Sequence, residues 1–251
     1  MRRLIALAIL MLLAPLAAHA ADGRKYAVLS LVGDKLLVVQ REMSTGSRLD
    51  RNSRVYVDLP DPAIDRAVTL AVDDALRQAH PGSAPILLAA RDPKLYAASA
   101  SAADRTDGVA RVFEAVRPIL ANSQATHLVL VTKHRHRAML RLRDGHVGTG
   151  FLEGVGFYVD HGSLARGVET NEGERGFIAP FTYLRIALVE VATGKVVAEE
   201  RVVGSEAATF VGNANIGDAW HALTDQDKVN RLTRVIREET ARAVPMVLAR
   251  R

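Results

Sequence analysis

The sequence predicts an α/β fold, α+β in its strand order: a mixed sheet with about three helices packed on it and a prominent C-terminal antiparallel hairpin. Three observations predict it. Apolar runs of strand length, at 26–31, 86–88 and 127–132, are separated by stretches whose apolar residues recur at helical spacing. Near the C-terminus Thr182, Leu184, Ile186 and Leu188 alternate with Tyr183, Arg185, Ala187 and Val189, and Ala192-Thr193-Gly194-Lys195 then turns the chain back into 196–203. No internal repeat and no proline-rich linker divides the chain, so residues 21–251 read as a single α/β domain.

Residues 1–20 stand apart. Arg2 and Arg3 precede an apolar run at 4–16 that is too short for a comfortable membrane span, and Ala18-His19-Ala20 puts small residues where a signal peptidase reads. This is the pattern of a cleaved secretory signal, with a mature chain starting at Ala21, a periplasmic location and no transmembrane segment after cleavage. The chain has no Cys, hence no disulfides and no lipidation site, and its length allows a sizeable core without staples.

The elements follow in order. Residues 26–31 and 36–40 read as strands joined across Gly33-Asp34 in a hairpin, and Val55-Tyr56-Val57 as a third strand after the polar connection 44–54. Asp61 can cap a helix with Pro62 in its first position, and Ile64, Val68, Val72, Ala75, Leu76 and Ala79 follow on one stripe until Pro81-Gly82. Ile86-Leu87-Leu88 reads as a buried strand, whereas the Ala- and Ser-rich 97–103 gives little signal. Val109, Val112, Phe113, Val116, Ile119 and Leu120 mark a second helix, bent or reset near Pro118. After the strand at 127–132 the glycines of 144–156 imply loop or bulged strand, 156–159 strand, and 161–176 a long polar loop. Thr224 or Asp225 caps a last helix, which Pro245 ends or kinks.

The stretch Lys133-His134-Arg135-His136-Arg137 is the most conspicuous local feature. In one extended strand Lys133, Arg135, Arg137, Met139, Arg141 and Arg143 share a face, and His134, His136, Ala138, Leu140 and Leu142 the other. Arg135, Arg137, Arg141 and Arg143 are the candidate ligand-binding residues, a ridge for an anionic partner; a merely solvated strand face is the plainer reading. His134 and His136 are spaced as some metal ligands are, with His146 or His161 to complete a set. No acid or Cys lies at a diagnostic distance, so no metal site and no cofactor is assigned.

Other chemistry has little anchorage. A net charge of +5 is modest, and aromatic residues, 5% of the chain, offer few platforms for bases, so nucleic acid is not an expected partner. Gly148, Gly150, Gly154 and Gly156 lack the following helix that a phosphate loop needs, and fit a bulge or a close backbone approach better. There is no G-x-S-x-G elbow, and no catalytic residue is assigned. Asp160-His161 is the most enzyme-like pair; adjacent acids such as Glu199-Glu200 point apart, and Trp220 reads as a packing anchor.

The segment 26–31, the helix around 64–79, the strand 126–131 and above all 183–197, Tyr-Leu-Arg-Ile-Ala-Leu-Val-Glu-Val-Ala-Thr-Gly-Lys-Val-Val, resemble the periplasmic α/β accessory proteins typified by the TolB amino-terminal domain and the curli secretion channel family. Those proteins close their sheet with a similar hairpin bearing a D-x-x-T-G turn, and Glu190 stands here where the acid would be. The resemblance implies a non-catalytic binding or assembly role at the cell envelope, with an envelope protein or anionic surface as partner and homo-oligomers allowed. It departs in having no lipidation Cys, no evident pore-forming hairpin and no propeller after the domain. The competing expectation is a periplasmic hydrolase or metal-dependent enzyme built on the His- and Gly-rich segment 134–161.

Overall fold

A computed structural model describes residues 23–42, 52–59, 62–166, 173–209 and 219–250. The expected signal peptide, its cleavage point before Ala21 and the expected cap Asp61 lie outside these residues. Among them the fold is α/β, with four helices and a mixed sheet. No described helix is long and apolar enough to cross a membrane.

The strands are β1 (Tyr26–Leu31), β2 (Lys35–Gln40), β3 (Ser53–Asp58), β4 (Ile86–Leu88), β5 (His127–Lys133), β6 (Arg135–Arg137), β7 (Leu140–Leu142), β8 (Gly145–Val147), β9 (Phe151–Arg166), β10 (Gly173–Glu190) and β11 (Val196–Ser205). The helices are α1 (Ala63–Ala79), α2 (Pro93–Ser101), α3 (Gly108–Leu120) and α4 (Asp225–Ala249). The main sheet runs β3-β2-β9-β10-β5-β1-β4, with β11 also on β10. β1 is parallel to both β4 and β5, and both of its faces are buried, which explains an apolar run interrupted only by Ser30.

β10 joins two half-sheets. Its residues from Gly173 to Tyr183 pair with β9, and those from Leu184 to Glu190 with β5. Because β11 lies beside both Tyr183 and Leu184, β9 and β5 must share the opposite edge of β10. On one face of the sheet α1 and α4 cover Val28, Val129, Phe157, Ile178, Leu184 and Ile186. On the other, α2 and α3 cover Leu29, Leu130 and Ala187. The rest of that second face, around Tyr158, Phe177, Phe181 and Tyr183, is covered by the β6–β8 segment through Leu140 and Leu142. Fully buried side chains such as Val68, Val72 and Leu76 of α1 contribute about 1.5–3 kcal/mol each.

Several expectations are corrected. β1 and β2 are not a hairpin: both edges of β1 are taken by β4 and β5, and β2 pairs with β3 and β9. β4 is an edge strand with Ile86 and Leu87 exposed, rather than buried. The Ala- and Ser-rich stretch belongs to α2, whose Asp92 side chain accepts the Lys94 N–H at 2.9 Å, with Pro93 in the first turn. Much of the expected loop at 161–176 is hairpin, since Gly173 pairs with Arg166 and Glu174 with Ala165. Helix α1 begins after Pro62, which is its cap residue. Pro245 neither ends α4 nor stops its packing, because Val247 and Leu248 beyond it are buried.

The hairpin of β10 and β11 is antiparallel, and Gly194 at its turn has φ +73°, a conformation costly for any residue with a Cβ. Thr193 Oγ1 donates to Glu190 Oε2 at 2.5 Å, so Glu190 ties the turn. Thr224 caps α4 by accepting the Asp227 N–H at 3.1 Å.

Candidate functional site

The sheet order puts β4 on one side of β1 and the later β5 on the other, so the direction of strand addition reverses at β1. In open α/β sheets the carboxyl ends of the strands at such a reversal form the usual ligand crevice. Here that place is filled by the chain itself. Asp65, in the first turn of α1, accepts the N–H groups of Val32 and Gly33 at 2.9 and 3.0 Å on Oδ1. Ser30 Oγ donates to the same oxygen at 2.5 Å, and Tyr96 donates its hydroxyl to Oδ2 at 2.7 Å. Gly33 is required for this approach, because a Cβ there would stand 2.6 Å from the Asp65 nitrogen. The loop after β1 thus carries an internal carboxylate where a phosphate would otherwise seek amide donors. Burial, together with the Asp65 carboxylate, pushes the Tyr96 phenol well above its ordinary range.

Next to this network Lys133 Nζ meets Asp34 Oδ1 at 2.6 Å across the ends of β5 and β1. Lys133, expected on the basic face, is therefore turned inward and is buried. Its neighbour His134 lies just beyond β5, and its N–H extends the ladder by donating to the Tyr183 carbonyl at 2.9 Å. The imidazole is 5% exposed, and Nδ1 finds no partner among the described residues. Burial lowers its pKa to about 4, helped by the positive charges of Arg185 and Arg201, so the ring is neutral at pH 7.

His134 lies on the seam between the helical cover and the β6–β8 cover. Arg185, also at the seam, is buried among apolar neighbours, and its guanidinium donates to the Arg105 carbonyl at 2.8 Å. Glu199 Oε1 lies 3.4 Å from its Nε. Burial pulls the Arg185 pKa down, and Glu199 opposes that pull.

The predicted ridge residues occupy the outer side of the β6–β8 cover. The single strand assumed from 133 to 143 is broken: β6 pairs with β9, β7 pairs with β8, and His134 and 138–139 lie between strands. Yet the alternation persists. Arg135, Arg137, Met139, Arg141 and Arg143 are exposed, while His136 and Ala138 are half-buried and Leu140 and Leu142 buried. The backbone is pinned from beneath by side chains of the main sheet. Tyr183 accepts the Met139 N–H at 2.8 Å, and Ser205 Oγ accepts the Arg141 N–H at 2.9 Å while donating to the Met139 carbonyl at 3.1 Å. Burial pushes the Tyr183 phenol up to about 12.

The four arginines differ in their surroundings. The Arg135 guanidinium stands 5.4 Å from the Phe151 ring centre, and Arg135 lies opposite Glu153 in the ladder. Burial raises the Glu153 pKa, against the nearby charges of Lys133 and Arg135. Arg137, Arg141 and Arg143 make no ion pair with any described residue. This is an exposed cationic face on a rigid backbone, able to meet carboxylates or phosphates.

The histidines are only partly gathered. His134 and His136 have ring centres 5.9 Å apart, and His136 Nδ1 is 3.0 Å from the Arg137 carbonyl. No cluster of three or more His, Cys, Asp or Glu suited to a metal ion occurs among the described residues. Asp160, the acid of the enzyme-like pair, is held by its own neighbourhood. Its carboxylate accepts Arg41 Nη1 at 2.7 Å and the N–H groups of Gly162 and Ser163 at 2.9 Å. Burial opposes its charge, but these donors outweigh burial and hold its pKa below the ordinary value. His161 is exposed, and its Nδ1 lies 3.4 Å from the Ala219 nitrogen. Trp220 packs edge-on against Phe157 at 5.5 Å, with Lys228 Nζ 4.2 Å from its ring centre.

Reading the residues one by one missed the buried charges. A signal was present: Asp65 shares the inward stripe of α1 with Val68, Thr69 and Val72, and Arg185 interrupts the apolar face of β10. No protein-family model matches this sequence, and no curated protein matches it either.

Proposed function

We propose that this chain is a secreted, periplasmic accessory protein of the cell envelope, acting by binding rather than catalysis, with Arg135, Arg137, Arg141 and Arg143 as its face for an anionic partner. The observation that carries this reading is the exposed alternation of those arginines, three of them without an ion-pair partner among the described residues, above a backbone fixed by Tyr183 and Ser205. The signal-like residues 1–20 and the resemblance of the hairpin to envelope accessory proteins support the compartment. The partner is an envelope protein with an acidic face or the anionic membrane surface, and the two differ in what they require. The full chain expressed with its own residues 1–20 should be recovered starting at Ala21 from the periplasm. Mature protein should then co-sediment with phosphatidylglycerol vesicles, or cross-link in cells to one envelope protein, and release in high salt, which screens such contacts. Charge reversal of Arg135, Arg141 and Arg143 to Glu should weaken the interaction at least tenfold. Equal binding by the triple variant and the parent, or binding by neither, would sink the reading.

A further inference from the structure

We propose that two copies of this chain pair edge to edge through β3, antiparallel about a two-fold axis at Tyr56. β3 ends the sheet, pairing only with β2 among the described residues. It exposes Val55, Tyr56 and Val57 by 55%, 57% and 42%. Edge strands in single-copy proteins are normally shortened, charged or broken by Pro. The other edges follow that rule: β4 has only three residues, and the longer β11 carries Glu199, Glu200 and Arg201 at its centre. β3 has six and carries an apolar centre with charge only toward its ends, Arg54 and Asp58.

The register follows from backbone geometry. In an antiparallel pair, directly opposed residues both point their N–H and C=O groups across the gap or both point them away. Those directions alternate along a strand, so a two-fold axis relating identical strands must pass through a residue and never between two. With the axis at Tyr56, Arg54 opposes Asp58 of the second copy and Val55 opposes its Val57, each pair occurring twice. An axis at Val55 would instead set Arg54 against Tyr56, and one at Val57 would set Asp58 against Tyr56. Only the Tyr56 register matches charge with opposite charge and apolar with apolar. Asp58 is accessible enough to serve, with 82% of its side chain exposed although Lys35 lies 3.3 Å away. Arg54 donates Nη2 to the Phe151 carbonyl at 3.2 Å and Nη1 to the Asn52 carbonyl at 3.4 Å, so meeting Asp58 of the second copy requires its guanidinium to share or exchange these bonds. Pairing one strand buries a small interface, so a weak dimer that forms only at high protein concentration is expected.

The test uses the mature chain, whose lack of Cys makes introduced ones unambiguous. Sedimentation velocity from a few micromolar to several hundred should show a monomer passing into a dimer. Arg54→Asp and Asp58→Arg, each alone, should weaken dimerisation at least tenfold by opposing like charges, and the double swap should restore it. Under mild oxidation Tyr56→Cys should cross-link to its own copy, because opposed residues lie within disulfide reach. Val55→Cys should cross-link with Val57→Cys in a mixture, and neither with itself. A parent chain that stays monomeric throughout overturns the proposal. So do single charge variants that dimerise as the parent does, or Val55→Cys cross-linking to itself in preference to Val57→Cys. Circular dichroism of each variant separates loss of pairing from loss of fold.

Discussion

Lowering the pH from 7 to 5 should cost the folded protein about 2 kcal/mol through His134 alone. The imidazole is 5% exposed, and its pKa is lowered from 6.5 to about 4. In the unfolded chain the ring takes a proton below pH 6.5; in the folded chain it does so only below about 4. The unfolded state therefore binds more protons between those values, and stability is complete above pH 6.5 and lost progressively down to pH 4. At pH 5 the unfolded ring is almost fully protonated and the folded ring barely so, which at 1.36 kcal/mol per tenfold gives the figure of about 2 kcal/mol. Urea unfolding followed by circular dichroism at pH 7, 6 and 5 measures the total change. His134→Gln isolates the share of this ring, because every other titrating group is common to both proteins. The variant should lose about 2 kcal/mol less than the parent across the same interval. Matching pH slopes in the two proteins, or an imidazole that titrates near 6.5 by NMR, would refute the argument.

Asp65→Ala should destabilise the fold by about 3 kcal/mol or more in chemical denaturation, because it strands two amides, a serine and a tyrosine hydroxyl in a buried place. Tyr96→Phe removes only one of those bonds and should cost about 1 kcal/mol. In Gly156→Ala the new Cβ would stand 1.8 Å from the Leu37 carbonyl in the β2–β9 ladder, so yield of folded protein should fall sharply. Gly194→Ala, at φ +73°, should cost about 1–2 kcal/mol and lower the melting temperature without altering the far-ultraviolet spectrum.

What the sequence disclosed depended on range. Features set by local chemistry were legible: the stripe of α3, the Thr224 cap, the positive φ of Gly194, the unbroken apolar run of β5. Features set by distant partners were not. Nothing within 26–40 shows that β1 prefers β4 and β5 to its neighbour β2, because that choice depends on residues far along the chain. The alternation of Arg135 to Arg143 was legible because burial of Leu140 and Leu142 beneath it preserves the period even where the strand is interrupted. Lys133 was misplaced for the same reason. Strand parity assigned it to the arginines, whereas the ladder of β5 ends with it and Asp34 draws it inward. Asp92 and Pro93 start α2 with the Asp-Pro pattern that was read before α1, but the weakly amphipathic Ala and Ser residues after them hid the helix.

The central placing of β1 has a consequence for timing. The first strand of the described chain is flanked by β4 and β5, and Tyr26 pairs with His127. During synthesis those six buried residues emerge early and wait for both neighbours, and β5 in turn needs β10 to seal its other edge. Pairings so far apart along a chain make for slow folding, over milliseconds to seconds. The sheet can close only when the chain has been made nearly to Glu190, so the polypeptide stays open, and exposed to chaperones and proteases, for most of its synthesis.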